Sequence, residues 1–301
     1  MPSAYTTLIS VPELQALMAS ARPRMVFDCS FDLMHPSSGG AQYLEAHIPG
    51  AVHADLDRDL SAPHGAPGAG GVIVAAEGDE PASGGRHPLP NRERLASWLS
   101  SIGFANDMQA VVYDRNGANY CGRLWWMLKW AGHDAVAVLD GGLQAWQSAG
   151  LPVASGEEPA HFQSNFRLGA PLRELVTADE VQARLGQPGQ TIVDARATPR
   201  FRGEVEPLDP VAGHIPGALN RPFPQNLGPD GRFKSAEQLR AEFDALLQGR
   251  PAGSVVHQCG SGVSAVPNLL AMEVAGLGPT GLFAGSWSEW CSDASRPVER
   301  G

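Results

Sequence analysis

Short apolar runs rich in β-branched residues alternate along this chain with stretches whose apolar positions recur at helical spacing. Near the start, Ser10-Val11-Pro12-Glu13-Leu14 combines an N-cap with a proline in the first turn and predicts a helix to about Ser20. Met25-Val26-Phe27-Asp28 then predicts a strand ending in an acid, and Tyr43 to Ala46 a helical turn leading into His47-Ile48-Pro49-Gly50-Ala51. The second half repeats the sequence of events. Thr177 caps a helix through Arg184, Thr191-Ile192-Val193-Asp194 is the strand, and the same pentapeptide returns as His214-Ile215-Pro216-Gly217-Ala218.

The correspondence continues. Ala110-Val111-Val112-Tyr113 matches Ser254-Val255-Val256-His257, Gly141 to Trp146 matches Gly285 to Trp290, and each half closes on Pro-Val, at Pro152-Val153 and Pro297-Val298. Landmarks in one order in both halves predict a duplicated domain. Within each copy, strands alternating with helices predict an α/β fold, a mostly parallel sheet flanked by helices, with ligands at the strands' carboxyl ends. The expected division is 1–154, a linker over 155–175 beginning at Glu157-Glu158-Pro159, and 176–301. Asp28 and Val111 are 83 residues apart but Asp194 and Val255 only 61, so the first copy carries about 22 extra residues, mostly within Ser61 to Asn91. The glycine- and proline-rich segments His64 to Gly71 and Gly84 to Pro88 predict a long surface loop there.

Composition narrows the function. A chain of 301 residues with 43% apolar content suits two globular domains of about 150 each. The absence of a basic, then apolar, leader and of any run of about 18 apolar residues predicts neither signal peptide nor membrane span, and makes the cytoplasm the expected location. A formal charge of −10 argues against a nucleic-acid or anionic-membrane footprint, which needs clustered Lys and Arg. Cys29, Cys121, Cys259 and Cys291 are too widely spaced for zinc ligation or a disulfide framework, so reduced thiols are expected and no metal.

Of the four cysteines, Cys259 stands apart. It closes the run Val255 to Gln258 and opens Gly260-Ser261-Gly262-Val263-Ser264-Ala265, ahead of a helical pattern over Val266 to Gly276. A strand end, two glycines and a helix N-terminus turn backbone N–H groups inward; such a loop stabilises an anion and lowers the pKa of a thiol held in it. Cys259 is the candidate nucleophile. In the first copy Arg115 occupies its place and Cys121 falls opposite Ala265, so that copy is expected to be catalytically silent.

This loop, the paired His-Ile-Pro-Gly-Ala and the Leu139-Asp140-Gly141-Gly142 run with Trp146 resemble the two-domain rhodanese-type sulfurtransferases, in particular the mercaptopyruvate branch, along nearly the whole chain. The resemblance implies two tandem rhodanese-like domains. It implies a Cys259 persulfide formed from a small-molecule sulfur donor and passed to a thiol such as thioredoxin or glutathione, or to cyanide, with no cofactor. It implies that Arg200 binds the donor's carboxylate, with Gly260, Gly262, Val263 and Ser264 forming the rest of the binding loop, and that Ser261 bonds the reacting sulfur. A Ser, His and Asp relay proposed for relatives matches His47 at its histidine. That residue's repeat as His214 equally suits a structural role, as it does for Asp28 and Asp194, and Asp32 is a distant candidate for the relay's acid.

The neutral Gly260-Ser261-Gly262 favours mercaptopyruvate, whose carboxylate calls for arginine, over dianionic thiosulfate, which remains the alternative donor. Relatives carry a second arginine in a Glu-Pro-Arg run where this chain has Glu206-Pro207-Leu208, leaving Arg196 or Arg202 to substitute. A phosphatase is disfavoured because the sixth residue after the cysteine is Ala265 and not the arginine such loops use on phosphoryl oxygens. A non-catalytic binding module would be expected only if both copies lacked the cysteine.

Overall fold

The computed structural model describes residues 4–63 and 78–301. The chain divides into two units, the first formed by described residues of Met1–Ser61, Pro90–Leu172 and Pro229–Arg232, the second by those of Ala62–Leu89, Arg173–Gly228 and Phe233–Gly301. The segment before Pro90, placed by the sequence in the first domain, therefore belongs to the second unit.

In the first unit the elements run β1 (Leu8–Ile9), α1 (Val11–Ala19), β2 (Arg24–Asp28), α2 (Ser38–Glu45), β3 (Val52–His53), α3 (Arg92–Ser101), β4 (Gln109–Tyr113), α4 (Cys121–Trp130), β5 (Val136–Leu139) and α5 (Gly142–Ser148). The strands pair in the order β1-β5-β4-β2-β3, every pairing parallel. Helix α1 begins as its sequence requires, the Glu13 carboxylate accepting from the Ser10 N–H at 2.8 Å with Pro12 in the first turn. Leu14 and Leu17 of its buried face meet Val26, Val111 and Trp146 in one core cluster.

The second unit contains α6 (Ala178–Ala183), β6 (Thr191–Asp194), α7 (Thr198–Phe201), β7 (Leu219–Asn220), α8 (Ala236–Leu247), β8 (Val255–Gln258), α9 (Val266–Val274), β9 (Gly281–Leu282) and α10 (Ser286–Trp290). Its order β7-β6-β8-β9 is again parallel throughout, and a bridge from Leu175 to Leu282 supplies the edge that β1 supplies in the first unit. The two sheets thus have one topology. Both faces of the second sheet are covered: Ile192 and Val256 pack with Val181, Trp287 and Trp290, while Val193 and Val255 pack with Phe243, Leu247 and Met272. Alternation along two adjacent strands, with apolar residues on both faces, explains why they read as continuous apolar runs.

The repeated landmarks have local reasons. The indole N–H of Trp146 donates to Pro152 O at 2.8 Å and that of Trp290 to Pro297 O at 2.9 Å, tying each terminal Pro-Val to its unit. The stretch expected as a linker is held on the first unit as far as Leu172, through Glu158 to the Gly50 N–H, Gly169 to Ala131 O and Leu172 to Lys129 O. Of the expected surface loop, His64 to Gly71 lies outside the described residues. Its later part departs from the expectation: His87, Pro88, Leu89 and Pro90 are buried, because His87 and Leu89 find partners inside their unit at Ser261 and Ser83.

Candidate active site

Strand β8 ends at Gln258 and delivers Cys259 to the carboxyl edge of the second sheet, in a loop that closes at the N-terminus of α9. Cys259 is a free thiol, 2% exposed. Its backbone is fixed from the side by the turn into α10: the Cys259 N–H donates to Ser286 Oγ at 3.0 Å, and Cys259 O and Gly260 O accept from the N–H groups of Trp287 and Ser288. Gly262 sits at φ 72°, and a Cβ there would lie 2.0 Å from Ala284 O, so only glycine lets the loop press this closely against the turn. No acceptor for the N–H groups of Gly260, Ser261, Val263 or Ser264 is present among the described residues.

The first unit shows what an equivalent loop does without the cysteine. There the N–H groups of Asn116, Ala118, Tyr120 and Cys121 all converge on the Asp114 carboxylate at 2.8–3.0 Å. Arg115, at the position of Cys259, is turned back onto Asp28, Ser30 and the carbonyls of Gln42 and Ala46. A fixed carboxylate fills the first loop and an arginine replaces its thiol. Cys121 and Cys29 are buried nearby, and burial, with Asp114 next in effect, pushes both thiols well above the ordinary range.

Around Cys259 the structure gathers a different set from the one expected. The Ser261 hydroxyl lies 2.7 Å from Nδ1 of His87. His47, the residue matched to the relay, is fully buried in the first unit with Nδ1 at 2.8 Å from Tyr43 O and Nε2 at 3.3 Å from Glu158. His214 repeats this arrangement with Phe201 O at 2.7 Å and Glu299 at 3.7 Å, and both histidines pair their backbone antiparallel with the segment after the terminal Pro-Val. That shared geometry is a structural clamp. Asp32 is bound to Met34 N and His35, and Asp28 accepts from the Ser30 N–H.

Asp194 accepts from the N–H and guanidinium of Arg196, which also reaches Gly213 O and stacks 4.7 Å from the Trp287 ring. Burial opposes the charge on Arg196, yet Asp194 and then Glu206 hold its pKa above the usual value. Arg202 faces solvent, 3.8 Å from Glu204, so neither arginine is available as a second binding group.

Arg200, on α7, does reach the loop: a Cβ on Gly260 would lie 3.6 and 3.7 Å from its two terminal nitrogens. Its guanidinium is braced by Glu206 at 2.6 Å and Asp209 at 3.2 Å. A second guanidinium, unforeseen, also lies beside Gly260, with Arg86 Nη2 3.2 Å from the same Cβ position and Nη1 2.5 Å from Asp209. Burial raises the pKa of Asp209, with Arg86 the main opposing influence. Leu208, at the departure from the Glu-Pro-Arg pattern, donates its N–H to Glu206. His87 and Arg86 carried a local signal, an arginine and a histidine side by side in a glycine-rich insert; nothing in the sequence indicated which loop they would meet. Among the described residues no group of three His, Cys, Asp or Glu side chains is arranged to hold a metal.

The rhodanese-like domain model matches residues 10–149 and again residues 177–293. The chain belongs to the rhodanese family. Among its relatives, a Pseudomonas aeruginosa protein named "Probable 3-mercaptopyruvate sulfurtransferase" is 48% identical, covering 98% of both chains. The thiosulfate sulfurtransferase of Bos taurus is 32% identical over 88% of this chain and 84% of its own. Among solved rhodanese structures, the 3-mercaptopyruvate sulfurtransferase from Leishmania major superposes with a TM-score of 0.78 at 30% identity, covering 95% of this chain and 74% of that one. These relatives are named for the class of activity, sulfur transfer, that the cysteine loop implies.

Proposed function

We propose that this rhodanese-family protein is a sulfurtransferase that takes sulfur from 3-mercaptopyruvate through a persulfide on Cys259. The observation that carries the reading is a buried thiol in a loop where the N–H groups of Gly260, Ser261, Val263 and Ser264 have no acceptor among the described residues, with the Arg200 guanidinium beside Gly260. Arg200 receives the donor's carboxylate, and the loop amides of Gly260, Gly262, Val263 and Ser264 orient the rest. The Cys259 thiolate attacks the substrate sulfur. The carbon–sulfur bond breaks, its electron pair passes to the methylene carbon as the enolate of pyruvate, and a proton completes pyruvate. Cys259 is left carrying the transferred sulfur as a persulfide, whose outer sulfur is taken by an acceptor thiolate or cyanide while the Cys259 thiolate is regenerated. Ser261 hydrogen-bonds the sulfur and relays the proton, a role supported by its contact with His87.

Thiosulfate is the second reading, favoured by the presence of two guanidinium groups at Gly260 and not one. Against it, Glu206 and Asp209 neutralise both, and a dianion gains less from a balanced site. No helix among the described residues is long and apolar enough to cross a membrane. Steady-state comparison of the donors tests the choice: mercaptopyruvate is expected to be preferred by at least about tenfold in kcat/KM, about 1.4 kcal/mol in the barrier. Equal or better use of thiosulfate would replace the reading with the second one.

A further inference from the structure

The geometry points to Arg86 as a second carboxylate-binding residue, which with Arg200 forms a paired guanidinium clamp beside Gly260 in place of the arginine missing at Leu208. The inference rests on the proposed use of a keto acid donor and adds to it a binding group from a different part of the chain.

Four observations carry it. Both guanidinium groups approach one point, the missing side chain of Gly260, at 3.2 Å from Arg86 and 3.6 Å from Arg200. Asp209 joins them, one carboxylate oxygen on Arg86 at 2.5 Å and the other on Arg200 at 3.2 Å, so the two cations are held as a pair. The backbone of Arg86 is itself anchored next to the catalytic loop, its N–H donating to Ser288 Oγ at 3.0 Å, while Ser288 N–H binds Gly260 O. Arg86 also keeps a buried Nε without an acceptor among the described residues, a donor left over after Asp209 is satisfied.

The physical logic is one of placement. Two guanidinium forks fixed next to each other beside a site that lacks a side chain define a place for a planar carboxylate, and their being tied in advance lowers the ordering cost of binding. Gly260 keeps that place open, since any side chain there would press on Arg86. The positions Leu208 and Arg86 are far apart in sequence, but they are alternative origins for the same charge. Arg86 is a specificity residue, acting on the substrate's carboxylate and not on the sulfur.

Two measurements test this. In the first, pyruvate is titrated by calorimetry into Cys259→Ser, which cannot turn over, and into the same variant with Arg86→Gln. Glutamine retains a donor for Asp209 but no charge. Binding is expected to weaken about tenfold or more on removing the charge; unchanged binding, or no pyruvate binding by Cys259→Ser at all, overturns the clamp. In the second, Arg86→Gln in the otherwise intact enzyme should raise KM for mercaptopyruvate about tenfold while kcat and the KM for dithiothreitol, an uncharged acceptor, stay within about threefold. A parallel rise in both KM values would mark Arg86 as structural and overturn the proposal. An intact enzyme that takes no sulfur from mercaptopyruvate would defeat the donor assignment, whereas the pyruvate titration judges the clamp by itself.

Discussion

Ser261 and His87 are 174 residues apart in sequence and 2.7 Å apart in space, hydroxyl oxygen to Nδ1, one residue position beyond Gly260 and two beyond Cys259. A histidine in that position can move a proton through a serine hydroxyl, and among the described residues of the second unit the other histidines are engaged elsewhere: His214 with Phe201 O and Glu299, and His257 with Met272.

His87→Gln and Ser261→Ala are therefore expected to lower kcat with mercaptopyruvate by about a hundredfold each, in the range of general acid–base effects. Because they act as one unit, the double variant should be no worse than about threefold below the poorer single variant. Stopped-flow measurement of pyruvate release reads this directly. Independent, multiplying losses would mean that the contact is structural.

Arg200→Ala is expected to raise KM for mercaptopyruvate about ten- to a hundredfold, equivalent to the roughly 1.5–3 kcal/mol of a charge-assisted bond. The protein should remain folded but melt at a lower temperature, since the nearly buried Glu206 and Asp209 lose a cationic partner, so KM is read well below the melting transition. Unchanged kinetic constants would place the carboxylate elsewhere.

Much of the fold was legible because both copies repeat their punctuation. The Pro-Val closures and the tryptophans that hold them lie close in sequence, and each His-Ile-Pro-Gly-Ala turn announces itself by its own pentapeptide even though its histidine pairs with a distant segment. Cys259 and Arg200 were legible for a related reason: each follows a strand end, where a parallel sheet places its ligands. His87 and Arg86 were not, because their position depends on a long insert meeting a loop some 170 residues away, and neither periodicity nor turn chemistry encodes such a meeting. His47 was misleading for the opposite reason, its strong local pattern reflecting a turn that both copies need.

Gly262→Ala should be strongly destabilising. A Cβ at φ 72° costs on the order of 1–3 kcal/mol by itself, and here it would also meet Ala284 O at 2.0 Å, forcing apart the loop and the turn that bears Ser286. Urea unfolding is expected to show a loss of at least about 2 kcal/mol. A loss within about 0.5 kcal/mol would contradict the close approach.

His257 supplies a pH signature in the core. Burial, and after it the charge on Arg221, pushes its pKa down from 6.5 to about 3, so the folded protein keeps the ring neutral. The unfolded chain binds a proton below about pH 6.5 that the folded chain does not. The contribution is therefore complete above pH 6.5 and falls by about 1.4 kcal/mol per pH unit as pH drops towards 3. Urea unfolding of the protein and of His257→Leu at pH 7 and pH 5 should show a steeper loss in the former. Equal slopes would place His257 in contact with water.

The central claim is that Cys259 carries the sulfur. Mass spectrometry of the intact protein after brief exposure to mercaptopyruvate without acceptor, followed by peptide mapping, should show a gain of one sulfur atom on the Cys259 peptide, reversed by dithiothreitol. The same treatment of Cys259→Ser should leave it unmodified, while Cys29→Ser and Cys121→Ser behave as the unaltered protein does. Normal turnover by Cys259→Ser, or sulfur found on another cysteine, would contradict the account.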